Sequence, residues 1–424
     1  MPMSKAFQKR LFPRLPALIE EFGTPFHIYD VEGMYETGRR MINAFAATPY
    51  RQYYAVKALP DPYVLQFLHQ ELGFGFDCSS VPELTLARGV GARGEDIMFT
   101  SNNTSDEEFE AAASSGGCIL NLDDISLVPE VPEPFPNLAC FRVNPGKART
   151  GNSIIGEPFD AKYGITLKQV VPAYRAAMER GATRFGVHTM VCSNELRGDY
   201  MADTVRMLLE ICATLQKKLG IECEFINMGG GFGIPYQPEQ NGLNLESMAS
   251  TITLDLENFE LAYGWRPRLL SECGRYVTGP HGVLVSRVIN EKRIYKRYLG
   301  VDTGMQDLVR PAMYGAYHHI DVLDPHGRPR GGRRALMSVV GSICENCDRL
   351  ATDRSLPTRA GKGDIIVAHD TGAHGSAMTG NYNGRLRGQA LVMLSDGLVV
   401  LSRREETERD LFATLNFPSG FKRT

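Results

Sequence analysis

From residue 33 onward the chain alternates two kinds of stretch. Short runs of apolar and β-branched residues fall at 52–57, 73–78, 97–101, 118–122, 139–144, 185–191, 224–228 and 268–272. Their length and composition predict buried strands. Between many of them apolar residues recur at helical spacing, in 62–72, 81–88, 106–114, 167–179, 200–219 and 245–263. Strands alternating with helices over roughly 240 residues predict a (β/α)8 TIM-like barrel. An open doubly wound sheet is the competitor, but no G-x-G-x-x-G opens a helix after the first strand.

Polar and glycine residues gather where each predicted strand ends: Lys57, Asp77, Asn102, Asp123, Arg142, His188, Gly229-Gly230-Gly231 and Glu272. In a barrel those ends form one face, and that face carries the chemistry. Any single one of them also fits a cap or a satisfied core polar group; their convergence on one rim does not. Past residue 277 the texture changes. Segments 283–293, 294–301, 334–340, 364–368 and 389–394 read as strands, most of them separated by Gly, Pro and Asp turns. The expected division is a barrel over 33–277 and a β-rich C-terminal domain over 278–424, which takes one strand, near 24–29, from residues 1–32. Residues 322–333 read as an exposed loop.

A chain of 424 residues exceeds one hydrophobic core, in keeping with two domains. Its formal net charge of -3 gives no electrostatic case for nucleic acid or a membrane surface. No apolar run approaches a membrane span, and the first five residues lack a signal-peptide core. Nine scattered cysteines suit reduced thiols, so the expected location is cytoplasmic. Cys344-Glu345-Asn346-Cys347 has no second pair at zinc-ribbon spacing, and no structural metal is expected.

Candidate chemistry begins at Tyr53-Tyr54-Ala55-Val56-Lys57-Ala58. A lysine at the mouth of a buried strand either snorkels to water or, partly desolvated, loses its proton and attacks a carbonyl. Asn227-Met228-Gly229-Gly230-Gly231 is a tight turn, or a place where backbone N–H groups approach phosphate closely. Glu272-Cys273-Gly274-Arg275 is a rim salt bridge, or a carboxylate set to hold a proton on a pyridine nitrogen.

Taken together, Tyr54–Ala58, the triple glycine, Glu272-x-Gly274-Arg275 and Cys344-Glu345 resemble the motif series of fold-type III pyridoxal-phosphate decarboxylases. Within that group they are most similar to diaminopimelate decarboxylase. The runs from Val301 to Tyr317 and from Met378 to Arg385 make the resemblance specific, and it extends in order from about residue 24 to 390. It implies pyridoxal 5'-phosphate held covalently by Lys57, with Asp77 beside both. Gly230 and Gly231 would cradle the phosphate, and Glu272 would face the pyridine nitrogen next to Gly274 and Arg275. Arg275, Arg310 and Tyr314 would grip the carboxylate of the substrate's retained end, and Glu345 its ammonium group. Cys344 would donate a proton to carbon. The last two would come from the partner in a homodimer with a shared active site. A distal arginine would be wasted on a monocarboxylic substrate, which favours an amino diacid.

The chain departs from the family pattern at two places. His188 keeps the first histidine of the Gly-x-His-x-His-x-Gly-Ser block, but Met190 stands at the ring-stacking position and Cys192 replaces the glycine. His374 stands where the family has a tyrosine that touches phosphate and substrate. The implied reaction is decarboxylation of meso-2,6-diaminopimelate at its D centre, a step of lysine biosynthesis. The alternatives are a paralogue acting on a related amino diacid in specialised metabolism, and a non-catalytic pyridoxal-phosphate-binding protein. Glu272 argues against a racemase, which places arginine at that position. His318 and His319 are read as surface groups or groups behind the site.

Overall fold

The computed structural model describes residues 3–151 and 154–419. Val31–Pro280 forms one compact unit, and the residues up to Asp30 together with those from His281 onward form the other.

The first unit is a closed barrel of eight parallel strands: Tyr50–Ala55, Gly75–Cys78, Gly94–Phe99, Cys118–Leu122, Leu138–Asn144, Arg184–Thr189, Phe225–Asn227 and Arg268–Ser271. The last strand pairs with the first, Leu270 opposite Arg51, which closes the ring. Inside it Tyr53, Met98, Ile119, Cys140, Phe225 and Leu270 pack as one apolar cluster. Gly186 makes room there: a Cβ would lie 2.1 Å from the Phe225 ring, so this strand needs glycine.

The helices between strands start and stop on local signals. Asp61 caps Pro62–Leu72 by accepting the N–H groups of Tyr63 and Val64, and Gly73, in the left-handed region, ends the helix. Ser105 and Glu108 form a reciprocal capping box on Asp106–Ala113. The helix Val31–Ala44, which precedes the first barrel strand, was not read from the sequence.

The second unit is built on a nine-stranded sheet. Its main path runs Arg349–Pro357, Arg334–Val340, Arg297–Val301, Gly282–Arg293, Phe26–Asp30, Gln389–Met393 and Val399–Arg403. Ile365–Ala368 pairs with Gly282–Arg293 and also with Ile320–Leu323. Phe26–Asp30 lies inside the sheet, antiparallel to Gly282–Arg293 and parallel to Gln389–Met393. Phe7, Leu11, Leu15 and Leu18 of the N-terminal helices Lys5–Leu11 and Leu15–Phe22 cover one face of it, packed on Phe26, Val283, Val367 and Leu391.

Two sequence expectations need correction here. The loop expected at 322–333 starts later, because Val322 and Leu323 complete the strand Ile320–Leu323 and are buried. The strand expected from 294 begins at Arg297, with Ile294 and Tyr295 exposed in the preceding turn.

Candidate functional site at the barrel mouth and on the sheet unit

Lys57 sits in the short turn Val56–Ala58, one step beyond its strand. Its Nζ donates to Asp77 Oδ2 at 3.2 Å, and its side chain is 52% exposed while Asp77 is buried. The neighbouring carboxylate raises the lysine's pKa, with Asp77 the largest influence, against an opposing effect of burial. This corrects the expectation that desolvation strips the amine of its proton: in this arrangement Nζ carries it. Burial, and the nearby charge of Glu272, in turn raise the pKa of Asp77.

Behind the lysine lies a hydrogen-bonded row of buried side chains. Asn121 Nδ2 meets His188 Nδ1 at 2.9 Å and donates to Thr100 Oγ1 at 3.0 Å. An amide N–H can only donate, so His188 Nδ1 accepts and its proton lies on Nε2. That Nε2–H reaches Glu272 Oε2 at 3.0 Å, and Asn227 Nδ2 donates to Glu272 Oε1 at 2.7 Å. Burial works to raise the pKa of Glu272, but His188, Lys57 and Asn227 outweigh it and the net shift is downward. Glu272 is therefore an anion in a buried place. The sequence assigns no role to Asn121 or to the side chain of Asn227; an asparagine carries no sequence signal until its neighbours in space are known.

Asn227 also holds the glycine turn, since the Gly229 N–H donates to its Oδ1 at 2.9 Å. A Cβ on Gly230 would lie 2.5 Å from the Glu272 carbonyl oxygen, and one on Gly231 2.7 Å from that of Cys192. Only glycine lets the turn pack this closely. The Gly230 N–H points at the Met190 sulfur, 3.3 Å away. On the same rim a Cβ on Gly274 would lie 2.5 Å from Ala58 Cβ. Arg275 donates to Tyr236 Oη at 2.6 Å and to Ser193 Oγ at 3.3 Å. Glu272 and Arg275 thus turn to different partners, and the rim salt bridge weighed from the sequence is not formed.

On the sheet unit, Arg310 and Tyr314 begin and end one short helix, Arg310–Tyr314. Arg310 is 3% exposed and Tyr314 46%. Arg310 Nη1 lies 3.0 Å from His318 Nε2. His318 is fully buried, which corrects its reading as a possible surface group; His319 is partly exposed. Cys344 and Glu345 are exposed on the turn leading to Asp348. The Cys344 N–H donates to Asn383 Oδ1 at 2.6 Å, and Tyr382 Oη donates to Glu345 Oε1 at 3.1 Å. The buried Asp348 carboxylate fastens this turn by accepting the N–H groups of Ile343 and Met305, each at 2.8 Å. His374 adopts φ +56°, a left-handed conformation uncommon for a non-glycine residue.

Residues 32–279 match the family described as pyridoxal-dependent decarboxylase, pyridoxal binding domain. The chain belongs to the pyridoxal-dependent decarboxylases. It is similar along almost its whole length to Protein TabA of Pseudomonas amygdali pv. tabaci, with 45% identity over 97% of this chain and 95% of that one. It is 35% identical to a diaminopimelate decarboxylase of Methanothermobacter thermautotrophicus, over 95% of this chain and 94% of the relative. Among solved structures, diaminopimelate decarboxylase from Helicobacter pylori complexed with L-lysine superposes with a TM-score of 0.85 at 27% identity, covering 94% of this chain and 98% of that chain.

The decarboxylase's cofactor is pyridoxal phosphate, and the residues present at the barrel mouth fit it. An accessible lysine amine, the group an aldehyde condenses with, stands beside a carboxyl that can take its proton. The Gly230 N–H is partnered by a thioether, a weak acceptor that a phosphate oxygen outcompetes. Among the described residues no helix of this decarboxylase is long and apolar enough to cross a membrane. Nor does any group of three or more His, Cys, Asp or Glu converge to hold a metal there.

Proposed function

We propose that this decarboxylase removes the carboxylate at the D centre of meso-2,6-diaminopimelate, giving L-lysine and carbon dioxide. The observation that carries the reading is Arg310, a buried guanidinium within the run Val301–Tyr317. A guanidinium edge offers parallel donors that match a carboxylate. A substrate with one carboxylate loses that group as carbon dioxide and keeps none for such a clamp. A substrate with two keeps one for the clamp.

Bound pyridoxal phosphate supplies an electron sink for the bonding pair left behind when carbon dioxide departs. Lys57 Nζ binds the cofactor, and its proton has a short path to Asp77 Oδ2, whose raised pKa narrows the cost of that transfer. Glu272, kept ionised, holds a proton on the pyridine nitrogen; His188 and Asn227 fix the orientation of its carboxylate. Gly230, Gly231 and His374 bind phosphate, with Gly274 and Arg275 completing that rim. Arg275, Arg310 and Tyr314 bind the retained carboxylate, and Glu345 the retained ammonium group. Cys344 Sγ delivers a proton to the carbon that lost its carboxylate. The enzyme works as a homodimer, in which Cys344 and Glu345 serve the site of the partner.

A second reading has its own support. The 45% identity to Protein TabA, together with Met190, Cys192 and His374 at the cofactor face, favours a related amino diacid as substrate. One experiment separates the two readings. The pyridoxal-phosphate-loaded protein is offered meso-diaminopimelate, other amino diacids, D-lysine, L-lysine, L-ornithine and L-arginine, and carbon dioxide release is measured. Strong preference for meso-diaminopimelate is expected. Faster turnover of another amino diacid would move the assignment to the second reading, and preference for a monocarboxylic amino acid would overturn both.

A further inference from the structure

His318 stands between the sheet and the buried arginine, and its hydrogen bonds fix its protonation. Nδ1 lies 2.7 Å from the backbone oxygen of His369. A carbonyl oxygen only accepts, so the proton of His318 resides on Nδ1. Nε2 is 3.0 Å from Arg310 Nη1. A guanidinium only donates, so Nε2 must offer its lone pair. Both bonds form together in one state alone, the neutral imidazole with its hydrogen on Nδ1. A doubly protonated ring would set an N–H against an N–H and one cation against another.

The carbonyl on which this rests is itself held. The His369 N–H donates to the His319 carbonyl at 2.9 Å, and the preceding strand Ile365–Ala368 pairs with Ile320–Leu323. His369 Nε2 lies 3.0 Å from Asp321 Oδ2. The order of support is therefore sheet, carbonyl, imidazole, guanidinium. Its last member joins the row through Nη1, and a carboxylate needs two parallel donors on a guanidinium edge.

We propose that His318 is a positioning residue that sets the rotation of the Arg310 guanidinium, so that the edge offered to the substrate's retained carboxylate is oriented before binding. The proposal rests on the reading of Arg310 as that clamp. A side chain already immobilised gives up less freedom when ligand arrives, so the effect falls on binding and not on the chemical step.

Two substitutions divide the contacts of His318. In His318→Asn the amide reaches about as far as Nδ1, so the bond to the His369 carbonyl is kept and the one to Arg310 is lost. In His318→Gln the amide oxygen reaches the place of Nε2 and again accepts from Arg310. With the amino diacid turned over fastest in the substrate comparison, H318N should raise KM roughly fivefold to tenfold, the size of one re-ordered side chain. Its kcat should stay within about twofold and pyridoxal-phosphate affinity should be unchanged, with only a modest fall in melting temperature from the lost buried contact. H318Q should return KM most of the way to the wild-type value. Arg310→Ala is measured alongside. If R310A raises KM and H318N does not, the positioning role is overturned while the clamp stands. If R310A leaves KM unchanged, the clamp and the role built on it fall together. An equal loss of kcat in H318N and H318Q, with KM unchanged in both, would make His318 a packing residue and also overturn the proposal.

Discussion

The barrel mouth and the turn bearing Cys344 differ in how much of their chemistry is built in advance. At the mouth, Asp77, His188, Asn227 and Glu272 are buried, and each is held by a neighbouring side chain. Removed from water, these contacts are strong and their geometry persists without ligand. Cys344 and Glu345 are exposed and rest on the exposed Tyr382 and Asn383. Water screens such contacts, and they count for little until something covers them. The difference teaches that the buried row at the mouth is organised within the barrel, whereas Cys344 and Glu345, proposed to meet the substrate's far end, are not yet held by buried contacts. Arg275 and Arg310, proposed for the same end, are buried, each within its own unit.

The largest expected effect comes from striking the prebuilt side. Lys57→Ala removes the amine that binds the aldehyde, and turnover should fall by at least about a thousandfold. The visible absorbance of the covalently held cofactor should vanish. Asp77, with its pKa already raised by burial, then takes up a proton, so the fold should survive. Persistence of the absorbance would remove Lys57 from its role.

A smaller effect tests the other side. K57A and Cys344→Ala should each be nearly inactive alone. Mixed after dissociation, random pairing should return roughly a quarter of wild-type activity, because half of the dimers then hold one intact site of two. No recovery, with mixed dimers demonstrated by differential tagging, would mean that Cys344 does not serve a partner's site.

The smallest effect concerns the sheet unit and acid. Burial, helped by the charge of Arg403, lowers the pKa of His27 from 6.5 to about 3, and burial with Arg10 does the same for His281. Burial raises Asp307 and Asp370 from 3.8 to about 6. Below pH 6.5 the unfolded histidines bind protons that the folded ones refuse, so acid destabilises by about 1.4 kcal/mol per histidine per pH unit. Between 3.8 and about 6 the folded carboxyls keep protons that the unfolded ones release, an effect of opposite sign. Two histidines and two aspartates offset one another in that window, and below it the histidines act together with carboxylates held low, such as Glu272 and Asp321. Thermal unfolding should therefore change little from pH 6 to 4 and then decline. In His27→Gln, stability should instead rise on acidification across the same range. A wild-type decline that begins at pH 6 would show that the carboxyls do not compensate.

Much of the barrel was legible because a parallel strand covered on both faces reads as a short apolar run, and a lone polar residue at its end stands out. Lys57, Asp77, His188 and Glu272 were visible for that reason. Their connections were not: Asn121 and His188 meet across 67 residues, and Asn227 reaches Glu272 across 45. The strand Arg349–Pro357 escaped because Thr352, Asp353 and Ser355 face water in an irregular pattern, with register shifts against its neighbour. His318 looked peripheral since two adjacent histidines in a polar run give no sign that one is enclosed by a later strand's end.

The placement of Phe26–Asp30 between Gly282–Arg293 and Gln389–Met393 has a temporal meaning. A ribosome delivers this strand before the barrel, yet one neighbour, Gln389–Met393, emerges only after the whole barrel, on the order of tens of seconds later. Phe7, Leu11, Leu15 and Leu18 lack their eventual companions during the same interval. The nascent chain thus carries a sticky segment while the barrel's own segments are completed, and the yield of active protein in a cell should depend on what shelters residues 7–30 in that interval.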